Sequence, residues 1–332
     1  MKASYVLPVS ARTSQVRALT GYLHRLSRVI DEVIVVDGSP GDVFELHARA
    51  WSGPVRHIRP TSRTTNGKVG GVMTGVQAAR HEHIIVADDD VRYRRAELER
   101  MLTLLQHFEV VRPQNIFRPQ PWHARWDTAR SLLNRLTGGD WPGTLGICRS
   151  VLLDAGGYSG DVLFENLEMV RTIKAAGGRE AVPLDLFVVR RPPPARHFVS
   201  QRVRQAYDEW ARPTRFVAQL ALLPGGLLLL LLGGPAALIA AVACGAAAAE
   251  FARRKAHGRA AFSPGSAFWA PAWLAERAVT SWMALSIGLF LGGVRYRTTQ
   301  LRYAATSRGL LEQRVREAYD KRRSETLRTN AA

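Results

Sequence analysis

A chain of 332 residues that is 46% apolar can bury one large core and still carry a second element. The formal net charge of +18 asks for an anionic partner (nucleic acid, anionic lipid or a polyanionic small substrate), although arginine supplies most of it and GC-rich coding explains a share. The N-terminal half has no zinc-ligand spacing and no basic helix interleaved with aromatics, which argues against nucleic acid, and the two distant cysteines, Cys148 and Cys244, argue for a reducing compartment without disulfides.

Met1 to Val9 is too short for a secretory apolar region, so the N-terminal domain is expected to stay in the cytosol. Tyr5 to Val9 reads as the first strand, followed by a polar turn and a helix around Ser14 to Leu26. Val33 to Val36 is the second strand. It ends in Asp37-Gly38-Ser39-Pro40, a turn that no strand continues through. Val55 to Ile58 is a short third strand, Val69 to Arg80 a glycine-containing helix, and Ile84 to Ala87 a fourth strand. Further on, Thr144 to Arg149 reads as a strand. Ser150 to Ala155 and Phe164 to Ala176 read as helices closed by Gly156-Gly157 and Gly177-Gly178. Strands alternating with helices predict an α/β fold, a single wound and mostly parallel sheet with helices on both faces.

Asp88, Asp89 and Asp90 follow the fourth strand directly, where an open α/β sheet places its ligand site. Adjacent carboxylates repel, and a divalent cation removes that cost. Strand alternation would point Asp88 and Asp90 the same way and Asp89 elsewhere. The competing reading is a solvated turn that caps a helix over Arg92 to Leu105.

Pro192-Pro193-Pro194 marks a stiff boundary, and the composition changes beyond it. Val199, Val203, Ala206, Tyr207 and Trp210 recur at helical spacing among arginines, the pattern of a helix lying on an anionic membrane surface. Phe216 to Ala249 then carries no charge. As one helix it would measure about 50 Å against a hydrocarbon core of roughly 30 Å. A break at Gly233-Gly234-Pro235 gives a hairpin, and arginines at both ends place both ends in the cytosol. A third apolar stretch, Ala278 to Val294, is short enough to be re-entrant or interfacial.

The ordered set from Tyr5 to about Trp210 resembles the family 2 glycosyltransferases. It comprises a strand ending at Pro8, Asp37 after strand two, Asn66-Gly67-Lys68-Val69-Gly70-Gly71, the Asp88-Asp89-Asp90 cluster, Gly143 to Arg149, Gly156-Gly157-Tyr158 and Glu165-Asn166-Leu167-Glu168. The resemblance implies the nucleotide-sugar-transferase sheet, with Pro8, Asp37, Lys68, Asp88 and Arg149 toward a nucleoside-diphosphate sugar. It also implies Mg2+ or Mn2+ on Asp88 and Asp90. The family's base is an aspartate at the position of Asn166, and an amide cannot take a proton. Glu165 or Glu168, three apart on one helix face, then takes the role. Gln201 and Arg204 resemble the family's Gln-x-x-Arg-Trp element, with Gln205 in place of the tryptophan. Trp141 is a candidate acceptor platform.

These readings divide the chain into a catalytic domain (1–191), a hinge with an interfacial helix (192–213), membrane helices (214–294, with the hairpin at 216–249 and the third segment at 278–294) and a basic cytosolic tail (295–332). The function expected is an inverting transferase in a bacterial plasma membrane, multi-pass with its catalytic domain cytoplasmic. It would pass a sugar to a hydroxyl of a lipid-linked or envelope acceptor. Two alternatives remain at this point: a catalytically inactive sugar-nucleotide-binding membrane protein, and a metal-dependent nucleotidyltransferase. The second would want a glycine-rich loop where the chain has Pro8-Val9-Ser10-Ala11-Arg12.

Overall fold

The computed structural model of the protein describes residues 1–11, 17–62, 64–296 and 299–330, in two units. One joins Met1–Arg112, Gly143–Ala181 and Thr306–Ala332; the other joins Pro113–Pro142 and Val182–Ala305. Of the expected first helix, Arg17–Leu26 is present, while Ser14 to Val16, like Arg12 before them, lie outside the described residues.

In the first unit the β-branched runs pair into a seven-stranded sheet. Its order is Arg56–Ile58, Glu32–Asp37, Ser4–Val9, His83–Ala87, Thr144–Cys148, Val110–Val111, Glu180–Ala181. The first four are mutually parallel, whereas Thr144–Cys148 runs antiparallel to both its neighbours. The sheet is therefore mixed, and its parallel side is the side that carries the acids. Val33 to Val36 are all buried, as a parallel strand covered on both faces requires. Pro8 is tolerated in a central strand because the register with His83–Ala87 ends at Val6.

Helix Gly67–Ala78 lies unusually close to this sheet. A Cβ at Gly75 would fall 2.3 Å from Val6 Cγ1, and one at Gly71 would fall 3.0 Å from Pro8 Cβ. The glycines therefore set how far the helix stands above the strands. Its start is fixed by Asn66, whose side chain accepts a hydrogen bond from the Lys68 amide.

The second unit contains an element with no counterpart in the sequence reading, helix Trp122–Leu136, and a parallel strand pair, Gln114–Phe117 with Phe187–Arg190. The interfacial helix expected over Val199 to Trp210 is instead broken. Short helices Ala195–Ser200 and Arg202–Tyr207 lead into a tight turn at Asp208–Ala211. The reason is that the amphipathic pattern is answered inside the unit. Arg202 turns inward to Glu276 Oε2 (3.4 Å) and Asp127 Oδ1 (3.5 Å), and Ala206 and Tyr207 are buried.

Helix Leu222–Arg254 is interrupted at Gly234, at φ 68° and ψ −172°, a region open essentially to glycine alone. A Cβ at Gly226 would lie 3.9 Å from Leu238 Cδ1, although a straight helix would separate those positions by about 18 Å. The chain therefore turns back on itself there. Leu231 and Leu232 are each 80% exposed near the turn. Among the described residues one helical segment, Pro213–Arg254, is long and apolar enough to cross a membrane, so a multi-pass placement is not supported. The third apolar stretch belongs to helix Ala270–Phe290, which buries Trp273, Arg277, Ser281 and Ala284 on one face and exposes Val279, Met283 and Phe290 on the other.

Gly75→Ala is expected to destabilise the first unit by about 1–3 kcal/mol through overpacking against Val6, seen as a lower denaturant midpoint. Gly67→Ala, with nothing within 4 Å of the added carbon, should be close to neutral.

Candidate active site

The acidic cluster lies just past the end of strand His83–Ala87, in a turn and not in the strand itself. The Asp88 amide donates to Gly143 O and the Val91 amide to Asp88 O, which closes the turn. Asp88 and Asp90 are half-buried while Asp89 is exposed. The separation expected from strand alternation is thus produced by turn geometry.

Lys68, at the start of its glycine-rich helix, reaches both this turn and helix Glu165–Ala175. Its ammonium nitrogen stands 2.5 Å from Asp88 Oδ1 and 2.6 Å from Glu165 Oε1. Burial works against its charge, yet Asp88 and then Glu165 hold it well above the usual lysine range. The two loops that carry these groups are tied together. The Asn66 amide donates to Gly160 O, Asn66 Nδ2 to Val162 O, and Thr65 Oγ1 to Asp161 Oδ1. Distant sequence segments are thereby locked at one point.

Tyr158 is a participant that residue-level reading missed and that only the family pattern around Gly156-Gly157 touched. It is buried, and its hydroxyl has no hydrogen-bond partner among the described residues. Burial first, then the Glu165 and Asp88 carboxylates, push its pKa well above the usual tyrosine value. It stands ready as a neutral donor.

Several expected site residues have their polar groups engaged within the fold. Asp37 is fully buried. Its Oδ1 accepts from the Ser39 amide, and its Oδ2 meets His47 Nδ1 at 2.6 Å and His57 Nε2 at 3.0 Å. Burial pushes that carboxyl upward, but the bonds from His57, Ser39 and His47 outweigh it and hold the pKa well below the usual range. Both oxygens are thus engaged within the fold. The three ligand-type atoms lie within 4.8 Å of one another, and the separations of Asp37 Oδ2 from His47 Nδ1 and His57 Nε2 are those of hydrogen bonds.

Arg149 is likewise engaged elsewhere, on the last carbonyls of helix Gly67–Ala78, Val76 O at 2.9 Å and Gln77 O at 3.1 Å. Glu168 is fully buried and accepts from the Thr306 amide at 2.9 Å, which fastens the returning C-terminal segment. Of the two glutamates, Glu165 therefore meets Lys68 and Glu168 does not. Pro8 lies half-buried in its strand beneath Gly71.

Trp141, Gln201 and Arg204 belong to the second unit. The Arg212 guanidinium lies 5.9 Å from the Trp141 ring, Gln201 Nε2 reaches Ser200 Oγ, and Arg204 stacks on Tyr296 at 4.9 Å.

Residues 16–150 match the family described as Glycosyl transferase family 2. Over this segment the chain is similar to that family. No curated protein matches the chain. The protein is similar in structure to the mannosyltransferase PcManGT from Pyrobaculum calidifontis, solved with GDP-Man and Mn2+. The two share 21% identity over 85% of this chain and 87% of that one, with a TM-score of 0.51. Glucosyl-3-phosphoglycerate synthase from Mycobacterium tuberculosis, solved with Mn2+ and UDP, matches at 18% identity, 59% and 74% coverage and a TM-score of 0.41. S. aureus TarS with UDP-GlcNAc matches at 16% identity, 60% and 61% coverage and a TM-score of 0.44. The PcManGT likeness establishes the fold, a sheet of this transferase type followed by helices.

The carboxylates of this turn are of a type that fits a divalent cation. Asp88 and Asp90 offer hard oxygens, which Mg2+ and Mn2+ prefer, and the Lys68 ammonium already answers the negative charge of Asp88.

Asp37 also sets an expectation for pH. Because its folded pKa is depressed, its carboxylate contributes stability above an unfolded value near 4, and that contribution is lost as the pH falls below it. Asp37→Asn should lower Tm clearly at pH 7, and the gap to the parent protein should narrow toward pH 3. A gap that is constant with pH would contradict this account.

Proposed function

We propose that the protein is an inverting, membrane-attached glycosyltransferase. It would move a sugar from a nucleoside diphosphate to a hydroxyl of a lipid-linked or envelope acceptor at the cytosolic membrane face. The observation that carries the reading is the meeting of Lys68, Asp88 and Glu165 beyond the end of a parallel strand, where wound sheets bind their ligands. A divalent cation held by Asp88 and Asp90, when bound, would neutralise the charge of the diphosphate leaving group. Glu165 would take the proton of the acceptor hydroxyl as its oxygen bonds to the anomeric carbon and the bond from that carbon to the diphosphate breaks. Lys68 would pair with the departing phosphates, and Tyr158 would donate a hydrogen bond within the site.

Membrane attachment is supported by the exposed leucines of the hairpin that turns at Gly234, Leu227 to Leu232, and by the basic helix Arg308–Asn330. We place the hairpin in the cytosolic leaflet, inserted from one side. Each leucine taken out of water is worth about 1.5–3 kcal/mol, so the group should resist extraction by salt.

Two measurements test the reading. With Mn2+ present and GDP-, UDP- and TDP-sugars supplied in turn, the parent protein should release nucleoside diphosphate. Glu165→Gln should lose about a hundred- to ten-thousand-fold in rate while keeping donor affinity. Glu168→Gln should lower Tm but leave the rate of the folded protein near that of the parent. Equal activity of Glu165→Gln and the parent would remove Glu165 as the base, and absence of release with every donor would favour a binding protein. For attachment, the parent protein should stay with membranes through alkaline carbonate. The double variant Leu231→Glu, Leu232→Glu should shift to the supernatant; if it stays, the hairpin is not the anchor.

A further inference from the structure

The backbone that carries Lys68 is held on every side. Asn66 caps its helix, the Gly70 amide donates to Thr64 Oγ1, and a Cβ at Gly70 would lie 2.3 Å from Ser62 O. The side chain is different. It is a four-carbon arm turning about single bonds, with 20% of its surface open to solvent, and its position is set by the two carboxylates at its tip. The base Glu165 and the cation ligand Asp88 therefore share a movable counter-charge in Lys68.

A divalent cation and an ammonium group cannot both sit against Asp88 Oδ1 without strong repulsion, because two like charges a few ångströms apart in a half-buried site are poorly screened. One must leave, or an anion must arrive with the cation. A nucleoside diphosphate brings that anion, and its phosphate oxygens are partners for the lysine.

We propose that Lys68 is a displaceable internal counter-ion. In the donor-free enzyme it occupies the cation's place at Asp88 and restrains Glu165 by an ion pair, and the diphosphate of the incoming donor draws it away from both. The inference rests on reading Asp88 as a cation ligand and Glu165 as the base. Two consequences follow for regulation of the site. The divalent cation binds weakly alone and tightly together with a nucleoside diphosphate. Glu165 becomes available to an acceptor hydroxyl after the donor has bound, so the order of addition is donor first. With a purely structural ion pair, neutralising Lys68 would not tighten binding of the cation alone.

The test is a titration of Mn2+ followed by the electron spin resonance of the free ion. It uses the parent protein, Lys68→Met, Lys68→Gln and the charge-retaining Lys68→Arg, first without nucleotide and then with GDP and with UDP. Thermal melting identifies which variants are folded, and either neutral variant suffices. The expected result is that the neutral variants bind Mn2+ alone about tenfold more tightly than the parent, and that Lys68→Arg stays close to the parent. Added nucleotide should tighten Mn2+ binding markedly in the parent and much less in the neutral variants. If the parent takes Mn2+ with nucleotide but the neutral variants bind Mn2+ alone no better than the parent, the displacement is refuted while the transferase reading stands. If no form takes Mn2+ even with nucleotide, Asp88 is not a cation ligand and both fail.

Discussion

The close approach of helix Gly67–Ala78 to the central strands is the constraint on which the site depends. At Gly75 and Gly71 the helix rests on Val6 and Pro8 with no room for a side chain, and at Gly70 it rests on the Ser62 carbonyl. Any larger residue would lift the helix and carry Lys68 away from Asp88. Gly157, at φ 79°, plays the matching part on the other side, where an added Cβ would meet Met73 Cε at 2.7 Å. Backbone proximity, bought by glycine at a cost in chain entropy, is what holds Lys68 within reach of two carboxylates.

The acids of the first unit fall into two groups with different duties. Asp37 and Glu168 are fully buried and accept hydrogen bonds from backbone amides or meet histidines, so each fixes a piece of chain: Asp37 the segments carrying His47 and His57, and Glu168, through one of its oxygens, the returning tail at Thr306. Asp88 is half-buried and Glu165 is buried, and the two share a flexible lysine. A buried carboxylate with rigid partners is costly to disturb, whereas one held by a lysine arm can exchange that partner for a ligand. The rigidity of the partner separates structural acids from candidate catalytic ones here, and residue type does not.

The second unit shows how charge is managed beside an apolar surface. Arg130 pairs with Asp127 and Asp140, and Arg202 with Glu276 and Asp127, all within the packing of helices Trp122–Leu136 and Ala270–Phe290. Removing one member of such a buried network commonly costs 3–5 kcal/mol, since the remaining charge is stranded. Asp208 is the uneven member. Burial raises its pKa to about 7 although Arg204 and Arg212 pull the other way, so its charge is the one that the unit tolerates least. The hairpin at Gly234 then presents leucines outward from this cross-linked base.

By itself the sequence determined the elements whose signal is local. Period-two and continuous apolar runs located the four parallel strands, paired glycines located the helix ends, and the Gly233-Gly234-Pro235 break marked where helix Leu222–Arg254 turns. It also marked Asp88, Lys68 and two glutamates as candidates for a sugar-nucleotide site, because those residues keep a fixed order in a recognisable set. The tertiary structure alone decided which partners the polar groups would take. It moved Arg149 to a helix end, Glu168 to the tail and Asp37 to two histidines, made one strand antiparallel, and interleaved the two units so that Pro113–Pro142 left the first for the second. The physical reason is that hydrophobic periodicity is written into neighbouring residues. The partner of a buried charge is whichever group the fold brings within about 3 Å, and in this chain Lys68 and Glu165 lie 97 positions apart.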